Sequence, residues 1–176
     1  MAISEKVLKA LNAQLNREIY SAYLYLSMSA YFESINLKGF SNWMRVQWQE
    51  ELVHAMKFFD YITSRGGRVE LYGIETPPKE WKSPIDVFEF ALNHEKNVTS
   101  RINELVELSM AEKDYATLNM LRWFIDEQVE EEKSFEEILI KLRFVGSDAR
   151  ALFFLDAELA KRKFGVEDET GSSLQD

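Results

Sequence analysis

The sequence predicts an all-α protein, a bundle of four long helices with a short fifth, and three observations carry that expectation. Only three Pro and seven Gly interrupt 176 residues, and they cluster, which leaves a few long segments without helix breakers. Each long segment repeats its inward-facing residues at alternating steps of four and three, never two. The links between segments run short, long, short, as two antiparallel hairpins joined by one crossover require.

The first helix opens at Ser4, a residue type that caps helix N-termini, and runs to about Ser34. Its stripe is Leu11, Leu15, Glu18, Ala22, Tyr25, Ser29 and Phe32. A second helix from about Lys38 to Arg65 carries Phe40, Met44, Gln47, Glu51, His54, Phe58 and Tyr61, and Gly66-Gly67 stops it. Residues 66–83, with Gly73, Pro77 and Pro78, form the long link. Ser83-Pro84 places a cap before a Pro at the first helical position, and opens a third helix that ends near Glu112. Its stripe is Phe88, Ala91, Glu95, Val98, Ile102 and Leu105. Asp114 caps a fourth helix to about Phe144, with Thr117, Leu121, Phe124, Gln128, Glu131, Phe135, Ile138 and Leu142. Gly146-Ser147-Asp148 then breaks the chain and restarts a fifth helix, expected over about 148–163. A helix over 38–65 is about 42 Å long. The extended 66–83 link spans up to roughly 60 Å, enough to return along the bundle and set helix three parallel to helix two.

Composition narrows the function. Hydrophobic residues at 46% and charged residues at 29% fit one globular domain, expected over 1–164, with a polar and disordered tail over 165–176. A net charge of -9 and a pI near 4.9 argue against nucleic acid or an anionic membrane as partner and favour cations. The absence of Cys excludes disulfides, thiolate metal sites and iron-sulfur clusters. The opening residues lack the apolar stretch of a leader and no segment approaches the ~20 apolar residues that span a bilayer, so a cytoplasmic location is expected. The Asn97-Val98-Thr99 sequon then falls inside helix three as an accident of sequence.

Every stripe carries polar intruders near mid-height: Glu18 on helix one, Glu51 and His54 on helix two, Glu95 on helix three, Gln128 and Glu131 on helix four. Four helices therefore aim four carboxylates at one point in the core, which is costly unless a cation sits there. The stripes contain no Lys or Arg to serve. Oxygen donors with one imidazole suit two iron or manganese ions, and could also hold zinc. His54, three residues after Glu51 on the same face, reads as a ligand, whereas His94 is turned about 100° away from Glu95 and reads as a non-ligand. Tyr25 is either a core aromatic or a redox or hydrogen-bonding partner of the metals. Glu50, Glu127 and Glu130, each one residue before a stripe position, form either a third, weaker iron site or solvated helix surface.

The segments Asn16-Arg-Glu-Ile-Tyr-Ser-Ala-Tyr-Leu-Tyr25, Gln49-Glu-Glu-Leu-Val-His54 and Glu127-Gln-Val-Glu-Glu-Glu132, with Glu95 between the last two, resemble the non-haem ferritins of archaea and bacteria. Di-metal proteins of that fold carry one Glu from each of two helices and a Glu-x-x-His from each of the others. Glu18, Glu95 and Glu51-x-x-His54 match. Gln128-x-x-Glu131 stands in place of the second Glu-x-x-His, which bacterioferritins and di-iron oxygenases keep intact. The resemblance implies a first iron held by Glu18, Glu51 and His54, and a second held by Glu51, Glu95 and Glu131 with Gln128 nearby. It also implies oxidation of ferrous iron by dioxygen, storage as a ferric mineral, and a homo-oligomeric cage of about 24 subunits. Leu52 stands where a bacterioferritin shows its haem-ligating Met, so no haem is expected.

Two other classes compete with iron storage. A di-iron enzyme acting on an organic substrate needs room beside the metals, where Phe58, Phe124 and Phe135 are placed. A purely structural bundle leaves four converging carboxylates unexplained.

Overall fold

The computed structural model describes residues 3–165. They form α1 (Glu5–Ser34), α2 (Lys38–Ser64), α3 (Pro84–Ala111), α4 (Tyr115–Val145) and α5 (Ala149–Leu159), with no strand among them. The three residues expected to cap, Ser4, Ser83 and Asp114, do so, and Asp148 caps α5 as well. Ser4 Oγ accepts from the Val7 amide at 3.3 Å, Ser83 Oγ from Asp86 at 3.2 Å, Asp114 Oδ1 from Thr117 at 3.1 Å and Asp148 Oδ1 from Arg150 at 2.8 Å, each satisfying an amide that the first helical turn leaves open.

Core contacts establish the topology. One apolar cluster joins Leu24, Met28 and Phe32 of α1 to Phe40 and Met44 of α2, Phe88 and Leu92 of α3, and Phe135 and Leu142 of α4. A second joins Val7, Leu11 and Leu15 to Phe58 and Ile62, Ile102 and Leu105, and Leu121 and Phe124. The end of α1 thus lies with the start of α2, the start of α3 and the end of α4, so α2 and α3 run parallel and each hairpin is antiparallel, as expected. The layer between the clusters is polar. No described helix is long and apolar enough to cross a membrane.

The crossover is seated by a ladder of side-chain amides on α1. Asn12 donates to the Arg68 carbonyl at 3.0 Å and accepts from the Glu70 amide at 2.8 Å. One turn on, Asn16 donates to the Glu70 carbonyl at 2.7 Å and accepts from the Tyr72 amide at 2.7 Å. Backbone groups that no strand partner would satisfy are satisfied here, which fixes the path of the link. At its base the α2 end is tied to α4 by Arg65 and Asp114, 3.2 Å apart.

The fifth helix differs from expectation in length. It ends at Leu159 instead of continuing to about 163, because Asn42 of α2 donates to the carbonyls of Ala160 and Arg162 at 3.3 and 3.0 Å and draws the chain out of helical register. Leu155 and Leu159 pack on the bundle, while Phe153 and Phe154 stay exposed together with Phe144. The start of α2 has no local side-chain cap, and Asp156 of α5 supplies one by accepting from the Phe40 amide at 3.0 Å. Gly39 permits that approach, since a Cβ there would lie 1.7 Å from the Asp156 carbonyl oxygen. Of the expected tail, all but Gly165 lies outside the described residues.

A methyl group at Gly39 meets backbone, which yields less readily than the tip of a side chain. Gly39→Ala is expected to destabilise the protein by about 1 to 3 kcal/mol through overpacking. Its melting temperature should fall while helical circular dichroism is retained, with amide exchange rising first in α5. An unchanged melting temperature would show that the helix pair separates without cost.

Candidate metal centre

The polar layer sits at mid-height because each stripe changes from apolar to acidic there and resumes a turn later. Glu18, Glu51, Glu95 and Glu131 are between 1% and 4% exposed, so these carboxylates are out of reach of bulk water. Ligand atoms of Glu18, Glu51 and His54 lie within 4.8 Å of one another, and so do those of His54, Glu127 and Glu131. His54 Nδ1 is 3.3 Å from Glu51 Oε2, and its Nε2 is 3.6 Å from Glu127 Oε1.

On the other side of the layer Glu95 accepts from the Tyr25 hydroxyl and from Gln128 Nε2, the latter at 3.1 Å. Gln128 also reaches Thr99 Oγ1 at 3.2 Å, and Thr99 donates to Glu132 at 2.6 Å. Tyr25 therefore hydrogen-bonds a predicted ligand while its ring stacks on Phe135. His94 is turned away from the carboxylates, with Nε2 2.8 Å from Ser21 Oγ and its ring edge-on to Tyr25.

Two buried glutamines complete the layer. Gln14 donates to Glu18 at 2.7 Å, and Gln47 donates to Glu51 at 3.1 Å and to Glu131 at 2.7 Å. Each stands four residues before a carboxylate, the helical spacing at which such pairs meet. That repeated Gln-x-x-x-Glu on α1 and α2 is the sequence signal for both residues, and stripe reasoning alone assigned neither to the site.

Charge in this layer is strongly uneven. Burial, then repulsion from Glu51, raises the Glu18 carboxyl to about 8 and that of Glu131 to about 8. Burial and the same neighbour hold Glu95 well above the ordinary carboxylate range. Burial opposes charge on Glu51 too, but His54 and the hydrogen bonds from His54 and Gln47 outweigh it and leave Glu51 low. His54 is correspondingly held well above the usual imidazole value, despite its burial, by Glu51 and the carboxylates around it.

The flanking carboxylates are not alike. Glu127 is beside His54, Glu50 accepts from Arg162 at 2.5 Å, and Glu130 is exposed with Lys133 3.8 Å away. The space next to the centre is filled by Phe58 stacked on Phe124, with centroids 4.2 Å apart, and by the fully buried Phe135. Hard oxygen donors around one imidazole fit iron or manganese.

Residues 8–145 match the Ferritin family, described as the ferritin-like domain. The chain is 44% identical over 160 residues to the bacterial non-heme ferritin of Bacteroides fragilis, covering 91% of this chain and 99% of the relative. It is 41% identical over 165 residues to that of Staphylococcus haemolyticus, covering 94% and 99%. Among solved structures it resembles the open-pore ferritin of the hyperthermophilic archaeon Archaeoglobus fulgidus at 64% identity and a TM-score of 0.91, covering 92% of this chain and 100% of that one. A closed form of that ferritin engineered by site-directed mutagenesis gives 64% and 0.92, covering 93% and 99%. With the four-helix bundle and its buried carboxylate layer, these matches show that the chain belongs to the ferritin family.

Proposed function

We propose that this protein stores iron, oxidising ferrous iron with dioxygen at the buried carboxylate centre and passing ferric iron to a mineral enclosed by a cytoplasmic cage of identical subunits, about 24 of them. The observation that carries this reading is four near-fully buried carboxylates, one from each helix, around a single imidazole. Converging carboxylates at one height in a core are a receptor for cations.

Glu18, Glu51 and His54 bind one ferrous ion, and Glu51, Glu95 and Glu131 the other, with Glu51 bridging. Gln128 holds Glu95 in place, and Tyr25, hydrogen-bonded to the same carboxylate, is positioned to pass a proton to or from it. Two ferrous ions give up one electron each, and dioxygen takes both with two protons and leaves as hydrogen peroxide. Carboxylate oxygens favour the ferric product, and Gln128 in place of an anionic ligand keeps the second position weak enough to release it. Glu50, Glu127 and Glu130 provide a third, weaker position on the α2 and α4 side, with Glu127 nearest to the pair. The packed phenylalanines favour this reading over oxidation of an organic substrate, which needs the space they fill.

Glu51→Ala and His54→Ala are each expected to fold and to lose rapid iron oxidation, with initial rates down by about a hundredfold or more, since ligand loss exceeds the effect of losing a partner that merely orients a ligand. Stopped-flow absorbance under air measures this. Wild-type rates in either variant would remove the proposed centre. Alanine at Glu127 should change turnover or stoichiometry while the main pair still fills. Three-site binding that survives alanine at Glu50, Glu127 and Glu130 together would assign the patch to solvated surface.

Proton linkage supplies a further test. Glu18 and Glu131 keep their protons up to about pH 8 when folded and lose them near 4.5 when unfolded, so the folded chain binds more protons across that window. Metal-free stability should therefore fall as pH rises from about 5 to about 8. Glu51 contributes with the opposite sign but only in acid, below its unfolded value. Metal binding must displace the retained protons. Calorimetric titration with ferrous ion under nitrogen, in buffers of different ionisation enthalpy, is expected to show proton release at pH 6.5. Buffer-independent heat would contradict the assignment.

A further inference from the structure

We propose that Arg162, just beyond α5, is a positioning residue for the metal centre: it holds the Gln47 amide in the one orientation that serves two ligand carboxylates, and it occupies Glu50 until a cation displaces it. That role rests on the iron-oxidising reading of the centre and adds a component from outside the four-helix bundle.

Gln47 is fully buried, and its Nε2 faces Glu51 Oε1 at 3.1 Å and Glu131 Oε2 at 2.7 Å, so the amide donates to carboxylates of two helices. Its Oε1 accepts from Arg162 Nη2 at 3.1 Å. If the amide turned over, its oxygen would face the Glu51 carboxylate and its nitrogen would face a guanidinium, acceptor against acceptor and donor against donor. Arg162 thereby fixes which end of Gln47 points at the centre, and Gln47 holds Glu51 and Glu131 together before a metal arrives. The same Nη2 donates to Glu50 Oε2 at 2.5 Å.

Arg162 is itself held from several sides. Its guanidinium carbon lies 4.1 Å from the centroid of the Trp43 ring, Nη1 donates to the Trp43 carbonyl at 3.3 Å, and the Arg162 carbonyl accepts from Asn42 at 3.0 Å. Gly39, Asn42, Trp43, Gln47 and Glu50 follow one another at helical spacing along α2, so the docked C-terminal segment leads along one face to the metals. A guanidinium can stack on the indole and donate in two directions from one nitrogen; an ammonium cannot reproduce that plane.

Anaerobic titration of the full-length protein with Co(II), read by the visible absorption of the bound ion, tests the assignment. In Arg162→Met the first two equivalents are expected to bind about tenfold more weakly with an altered band, an effect of the size expected from loss of an orienting partner. A later equivalent should bind more tightly, because Glu50 is freed. Arg162→Lys should again cover Glu50 without restoring the band. Gln47→Met should reproduce the weakening with Glu50 still covered. Tightening of all equivalents alike in Arg162→Met is what loss of a nearby positive charge alone would give, and would overturn the proposal, as would wild-type affinity and spectrum. If Arg162→Met fails to assemble, Gln47→Met decides, and a wild-type titration there overturns the role. Glu51→Ala and His54→Ala, run alongside, separate the readings: wild-type Co(II) binding in those two would refute the centre itself.

Discussion

Four carboxyl groups that face one another in a core closed to bulk solvent set the terms for the rest of this structure. Each alone costs several kcal/mol to bury, and together they repel. The fold meets that cost with apolar packing above and below, where two clusters of aromatic and aliphatic side chains, many of them fully buried, clamp the polar layer from both ends. Helices of about thirty residues are what make this possible. A shorter bundle would have the acidic layer and only one apolar cluster to hold it.

The same constraint explains why the layer is rich in amides. Gln14, Gln47 and Gln128 each donate to a carboxylate, and none adds charge. A Lys in any of these places would satisfy the acids permanently and close the site to metal. An amide instead holds a carboxylate in position and leaves its charge to be balanced by whatever cation enters. Gln14 Oε1 is the one buried side-chain acceptor left without a partner among the described residues, so the layer is otherwise satisfied.

Much of this was legible in the sequence because helical stripes are strict. A Glu that interrupts an apolar stripe near mid-helix has nowhere to point except inward, so Glu18, Glu51, Glu95 and Glu131 could be placed at one height by arithmetic. The caps at Ser4, Ser83 and Asp114 were equally plain, being local. What escaped was tertiary. No pattern in α2 announces that Asp156 caps its start, that Gly39 is small to admit α5, or that Asn42 ends that helix early. The carboxylates beside the stripes were the other weak point: Glu50, Glu127 and Glu130 look alike in sequence, yet one pairs with an arginine, one borders the histidine and one faces solvent.

Glu51 is the residue on which the charge balance turns. It is the one carboxylate of the four held low, through His54 and the Gln47 amide, and its negative charge is among the leading causes that keep Glu18, Glu95 and Glu131 protonated. Protons held by Glu18, Glu95 and Glu131, together with the Glu51–His54 pair, lower the repulsion within the cluster when no metal is bound. On the proposed reading, a divalent ion that binds here would take the place of those protons. Helix two supplies both members of the ion pair and, through Gln47, the amide that reaches helix four. The remaining helices present their acids to a charge that α2 has already fixed.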